Sequence, residues 1–234
     1  MLMYNISKAH MSLIYLLEEN SMISNAQIRA KAREALGERI FSNEWLCALL
    51  IVLAVSLITS ALSATFVGTF IVYGLLMCAA SAYFIGRVRG TVGCKDFGVT
   101  VDALKADIVG NILSGVLYTV FIALWSMLFV IPGIIKSFSY SMTFYVKNDN
   151  PTMSANDAIT ESRRLMDGYK MKYFMLQLSF IGWLIVGSLC LGVGTLWVAA
   201  YMESARAVFY EEVKAAKAPK VEAASDTQEE ATAK

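Results

Sequence analysis

The chain has 234 residues, of which 57% are hydrophobic and 17% charged, with a net charge of +1 at pH 7. Soluble domains carry about 25% charged residues, so the composition argues against a soluble globule. The small net charge offers no field that would gather nucleic acid. The lone His10 and four scattered cysteines (Cys47, Cys78, Cys94, Cys190), none in CxxC spacing, match no metal-ligand pattern; the cysteines read as small apolar residues, and no metal or cofactor is expected.

At the N-terminus the apolar run Met11 to Leu17 is followed by Glu18, Glu19 and Asn20, where a cleavable signal would need small residues. Residues 1–23 therefore read as an extension, with Met22 as an alternative start. Next comes Ser24-Asn-Ala-Gln27, a capping box. It predicts an amphipathic helix with Ile28, Ala32, Ala35, Leu36 and Ile40 on one face, ending at Gly37.

Three long apolar blocks follow. The first, Trp45 to Gly86, runs 42 residues without Asp, Glu, Lys or Arg. As helix it would measure about 63 Å, twice a hydrocarbon core of about 30 Å, so it must cross and return. Residues Ser63 to Gly68 supply its break. The second, Ile108 to Val146, carries only Lys136 and is broken at Pro132-Gly133. The third, Tyr173 to Tyr210, carries Glu203 and Arg206 and is broken at Gly192-Val193-Gly194.

Before the third block, Ser154-Ala-Asn-Asp157 repeats the capping pattern and opens a second amphipathic helix, with Ala155, Ala158, Ile159, Ser162, Leu165 and Met166 on its apolar face and Gly168 at its end. Asn25, Ile28, Arg33 and Gly37 align with Asn156, Ile159, Arg164 and Gly168. This spacing predicts three copies of an interfacial helix followed by a membrane hairpin, with Val101, Leu104 and Ile108 as the faintest apolar face. After Glu212 the chain turns to Lys, Ala, Glu, Ser and Thr, and residues 213–234 are expected to be a disordered tail from Lys214 onward.

Basic residues flank the blocks and avoid the three breaks. They cluster at Arg29, Lys31, Arg33 and Arg39; at Arg87, Arg89, Lys95 and Lys105; at Lys147, Arg163, Arg164, Lys170 and Lys172; and at Lys214, Lys217 and Lys220. The positive-inside rule then predicts an all-α, polytopic membrane domain over residues 24–212. It has about six transmembrane helices in three hairpins (about 45–86, 108–146 and 173–210), with both termini cytoplasmic. Segments 134–146 and 195–210 are short, about 20 and 24 Å as helix, leaving re-entrant or tilted arrangements open.

The run Ala26 to Leu36, with Pro132-Gly-Ile-Ile-Lys-Ser-Phe-Ser-Tyr-Ser-Met142 and Ser154-Ala-Asn-Asp-Ala-Ile-Thr-Glu-Ser-Arg-Arg-Leu-Met166, resembles a bacterial integral membrane family called domain of unknown function 975. The likeness covers about residues 24–211. It implies a multi-pass protein of the bacterial cell membrane and brings no catalytic residue. A looser similarity to membrane domains fused to glycerophosphodiester phosphodiesterases hints at lipid or envelope work.

No HExxH, GxSxG, P-loop or dinucleotide fingerprint is present, and the chain is expected not to be an enzyme. Ionisable residues inside membrane blocks mark candidate sites. Glu203 and Arg206 share a helical face three residues apart, and read either as a site or as an internal ion pair. Lys136 could hold an anionic head group, snorkel to water or pair with Glu203. Ser137, Ser139, Ser141 and Thr143 spread around a helix and form no polar stripe. Ser56, Ser60 and Ala64 make a close-contact face.

Arg163 and Arg164, with Lys170 and Lys172, form a basic cluster that could attract anionic lipid, diluted by Asp157, Glu161 and Asp167. The expected partners are membrane lipids and either a second copy or another membrane protein. The function these residues predict is non-enzymatic binding of lipid or a membrane partner. A transporter or translocator with a polar path near Lys136, Glu203 and Arg206 is the alternative.

Overall fold

The computed structural model describes residues 22–37, 42–62, 66–128, 130–189 and 192–232, with 62, 66–71, 128, 130–132 and 219–232 described as backbone alone. Expectations for Met1 to Ser21, Arg39, Ile40 and Ala64 lie outside the described residues. Among these residues the chain is all helix: α1 (Asn25–Leu36), α2 (Asn43–Leu62), α3 (Phe66–Val88), α4 (Gly98–Ala106), α5 (Ile108–Leu128), α6 (Val130–Tyr140), α7 (Thr143–Asp149), α8 (Ala155–Leu165), α9 (Lys170–Leu178), α10 (Ile181–Leu189) and α11 (Val193–Thr232).

Both predicted capping sites form. The Ser24 hydroxyl accepts the Gln27 N–H at 3.3 Å and the Gln27 side chain accepts the Ser24 N–H at 2.8 Å; the Ser154 hydroxyl accepts the Asp157 N–H at 3.2 Å. Each satisfies a donor that a helix N-terminus otherwise leaves open. Gly37 and Gly168 follow with φ of 86° and 85°, backbone that a side chain would strain. The apolar faces are buried as expected: Ile28, Ala32 and Leu36 on α1, and Ala155, Ala158, Ile159, Ser162 and Leu165 on α8. Helix α4 buries no residue, so the middle copy of the repeat lacks this docking.

Cross-contacts show how the blocks fold. In the second block Trp125 meets Lys136, Phe121 meets Tyr140 and Tyr118 meets Phe144. In the third, Gly187 meets Gly194, Phe180 meets Tyr201 and Tyr173 meets Phe209. Both series run antiparallel. Pro132-Gly133, the expected break of the second block, lies inside α6. Pro132 is the third residue of α6, and a first helical turn has no intrahelical partner for the missing N–H and so tolerates proline. The actual interruption falls at Ser141-Met142, where α6 gives way to α7.

Among the described residues three segments are long and apolar enough to cross a membrane, Asn43–Ala61, Ile108–Met127 and Lys170–Leu189, the leading half of each block; Val72–Val88 is a shorter apolar helix. The return in block two is divided between α6 and α7. The return in block three belongs to α11, which continues through Lys214, so the polar tail joins the folded part later than its composition predicts. Lys217 donates to the carbonyls of Arg164 and Asp167, the latter at 2.9 Å, capping the end of α8 with a cation.

Helix α3 is central and touches α1, α2, α4, α5, α7 and α11. Its buried run Cys78-Ala79-Ala80-Ser81-Ala82 is small enough to admit so many neighbours. The predicted Ser56 and Ser60 contact face is instead exposed, with the Ser56 hydroxyl bonded back to the Val52 carbonyl at 2.8 Å. Close approach occurs between α3 and α5, where a Cβ on Gly74 would meet the Asn111 carbonyl at 2.2 Å and one on Gly115 would meet Gly74 Cα at 2.4 Å.

The buried core lies at the end of the bundle that carries the basic loops. The hairpin tips expose Leu57, Leu124, Met127, Ile185 and Leu189, an apolar surface suited to hydrocarbon. Cys47 and Cys94 form a disulfide, their Cα atoms 5.9 Å apart. This corrects the reading of both as plain apolar residues, because the loop after α3 folds over the start of α2.

A tyrosine-lined cavity at the Glu203–Arg206 pair

Glu203 and Arg206 lie one turn apart on α11, which aligns their side chains. Arg206 Nη1 stands 2.9 Å from Glu203 Oε1, and Arg206 Nε donates to the Tyr173 hydroxyl of α9 at 2.9 Å. Both charged side chains are about 21% exposed. The pair is internal and hydrogen-bonded, so Arg206 is anchored across to α9 rather than extended toward bulk water. Tyr145 of α7 stacks on Tyr210 at 5.4 Å and points its hydroxyl at the Glu203 carbonyl, 3.5 Å away.

Arg206 forms part of the wall of a cavity of about 360 Å³, with Tyr73 from α3, Tyr118 from α5, Ser137 and Ser141 near the end of α6, and Gln177 from α9. Tyr73 and Tyr118 stack at 6.1 Å, and Phe144 meets both. The volume falls within the range of ligand pockets, about 300–1,000 Å³. All three apolar blocks contribute a wall, and hydroxyls, an amide and a guanidinium project among aromatic faces. Such a surface can orient a polar group while aromatic rings cover its apolar portion.

Lys136 is placed elsewhere. Its ammonium sits 4.4 Å from the Trp125 ring centroid, a cation–π contact, and it neither pairs with Glu203 nor lines the cavity. Ser137 and Ser139 of α6, Ser141 just after it and Thr143 of α7 are each bonded to a carbonyl three or four residues back. Arg163 and Arg164 are exposed on α8, and Arg164 grips Glu161 through two bonds of 2.6 and 2.7 Å. The basic cluster is thus partly neutralised by its own helix.

Sequence reading missed a polar network beside the core. Lys147, 1% exposed, contacts Asp107 at 2.7 Å and donates to the carbonyls of Pro151 and Met153. Asp149 receives Arg89, Tyr210 and Lys214, and Arg89 also holds Glu211 at 2.7 Å. Lys147 and Asp149 lie at the end of the second block, and Lys147 reads there as one more flanking base.

A family model described as protein of unknown function (DUF975) matches residues 39–217. The chain belongs to this family. No curated protein and no solved structure matches it. The match to DUF975 covers every helix that lines the cavity, and the extended N-terminal residues and the end of α11 fall outside it.

Proposed function

We propose that this DUF975 protein is a non-enzymatic, multi-pass protein of the bacterial cell membrane that binds the polar end of a lipid or other small amphiphile between its hairpins. In this reading six segments cross or enter the bilayer, the basic loops and both termini face the cytoplasm, and α1 and α8 lie near that interface. The carrying observation is the cavity of about 360 Å³ at Arg206, bounded by all three hairpins. A hydrogen-bonded guanidinium among tyrosines and serines is suited to phosphate, carboxylate or hydroxyl groups.

A translocator is the second reading, favoured because a cavity bounded by repeated hairpins resembles the central sites of many carriers. A fluorescent-lipid assay in liposomes separates the two. Binding that is lost in Ser137→Phe, without flip-flop by the wild type, is expected for a binder. Flip-flop that is lost in folded Glu203→Gln but kept in Lys136→Ala is expected for a translocator. Neither binding nor transport by the wild type, with the tested lipids, removes lipid as the ligand.

A further inference from the structure

On the opposite side of α11 from the tyrosine cavity, the bundle carries an open apolar groove of about 480 Å³ between α2, α10 and α11. Trp45, Trp183, Gly187, Trp197 and Tyr201 line it, and among the described residues Arg33 is its only charged lining residue. Its construction follows from local chemistry. Gly187 and Gly194 let α10 and α11 meet so closely that a Cβ on Gly187 would lie 2.9 Å from the Gly194 backbone. With no side chains there, a cleft remains beside the contact.

At the other end Tyr201 donates to the Arg29 carbonyl at 3.1 Å and Ser204 to the Ala32 carbonyl at 3.0 Å. These bonds lay α1 across α11 and hold Arg33 over the cleft. The Trp45 indole donates to the Gly37 carbonyl at 2.8 Å and its ring meets Tyr201 at 6.0 Å. From Tyr201 to Val193 the groove extends about 12 Å along the helix beyond the arginine. Trp183, Val186 and Val193 are all more than half exposed along it.

We infer that this groove is a binding site for an anionic phospholipid, with its phosphate at Arg33 and an acyl chain along the tryptophans toward Val193. Charge complementarity selects the occupant: an exposed guanidinium at the polar end of a hydrocarbon-lined cleft matches an acidic head joined to a chain, and tryptophan is the side chain suited to that boundary. The site is separate from the Arg206 cavity and does not depend on it.

The chain has four tryptophans, and three line the groove. In a Trp125→Phe background the emission therefore reports on the groove alone. The full chain in detergent micelles is titrated with phosphatidylglycerol or phosphatidylcholine brominated on the acyl chain. Quenching by the anionic lipid is expected at a roughly fivefold lower mole fraction, the effect of about one interfacial cation. Arg33→Gln is expected to bring the two midpoints together with the thermal unfolding midpoint unchanged, while Val186→Phe weakens quenching by both. Equal midpoints in the unaltered site, a preference that survives Arg33→Gln, or displacement by inorganic phosphate would overturn the assignment.

Discussion

Lys147 closes the second hairpin by reaching Asp107 at 2.7 Å, forty residues earlier in the chain. The lysine is buried and the aspartate about one-third exposed, so the attraction is partly screened, but the ammonium has been withdrawn from water and depends on its three acceptors. Asp107→Asn is expected to lower stability by about 1–3 kcal/mol, read as a fall in the thermal unfolding midpoint in detergent. Lys147→Met, which removes the buried charge together with its need for partners, is expected to cost less than Lys147→Ala. Equal loss in both lysine variants would contradict this account.

The acid limb of stability follows from the same groups. The hydrogen bond from Lys147, then that from the Gly110 N–H, holds the Asp107 carboxyl below its ordinary value of 3.8. For Asp149, burial works in the opposite direction, but the bonds from Arg89, Lys214 and Tyr210 outweigh it and the carboxyl is also lowered. Depressed carboxylates contribute stability that is complete above their unfolded values and lost as pH falls through the folded ones. The unfolding midpoint is therefore expected to be level from pH 7 to about pH 5 and to drop below about pH 4. Asp149→Asn should flatten part of that drop; an unchanged slope would remove Asp149 from the account.

Ser162 serves two helices at once. Its hydroxyl donates to the Ser139 carbonyl at 2.9 Å and accepts the Met142 N–H at 3.2 Å, satisfying the backbone where α6 breaks before α7. Ser162→Ala leaves both groups buried without this partner and is expected to cost about 1–3 kcal/mol. Hydrogen exchange, measured by mass spectrometry, should rise first in the peptide around Ser141 and Met142. A rise confined to α8 would mean that the serine serves its own helix only.

The Cys47–Cys94 bridge spans 47 residues of sequence, and loss of such a link commonly costs about 2–4 kcal/mol. Alkylation of the purified protein followed by peptide mapping should label neither cysteine before reductant and both afterwards, with a lower unfolding midpoint. Labelling of both without reductant would show the pair to be reduced. In the proposed orientation both cysteines lie on the cytoplasmic side, where disulfides are rare, so labelling without reductant is expected in intact cells, and protection there would reverse the orientation.

The three apolar blocks, the caps at Ser24 and Ser154 and the neighbouring Glu203 and Arg206 were legible because each is written in local spacing. The helical setting of Pro132-Gly133 was not: Pro132 carries a strong breaker signal, yet a proline suits the opening turn of a helix as well as a gap between helices. Burial of Lys147 and the meeting of Cys47 with Cys94 depend on loops returning to one end of the bundle, and periodicity is silent about that. The cavity shares this property. Tyr73, Tyr118 and Tyr173 read in sequence as ordinary aromatic residues of apolar helices, and only the crossing of α3, α5 and α9 gathers them.

Gly74 and Gly115 press α3 and α5 together with no space for even a methyl group between them. Two walls of the tyrosine cavity, those of Tyr73 and Tyr118, are thereby riveted into one plate shared by the first and second hairpins. On the other side α9 and α11 are joined through the hydrogen bond from Arg206 to Tyr173, a polar contact rather than a backbone one. Glu203, one turn away on the same helix, holds the guanidinium in place for that bond, so the two sides of the cavity rest on different kinds of joint, one of backbone and one of charge.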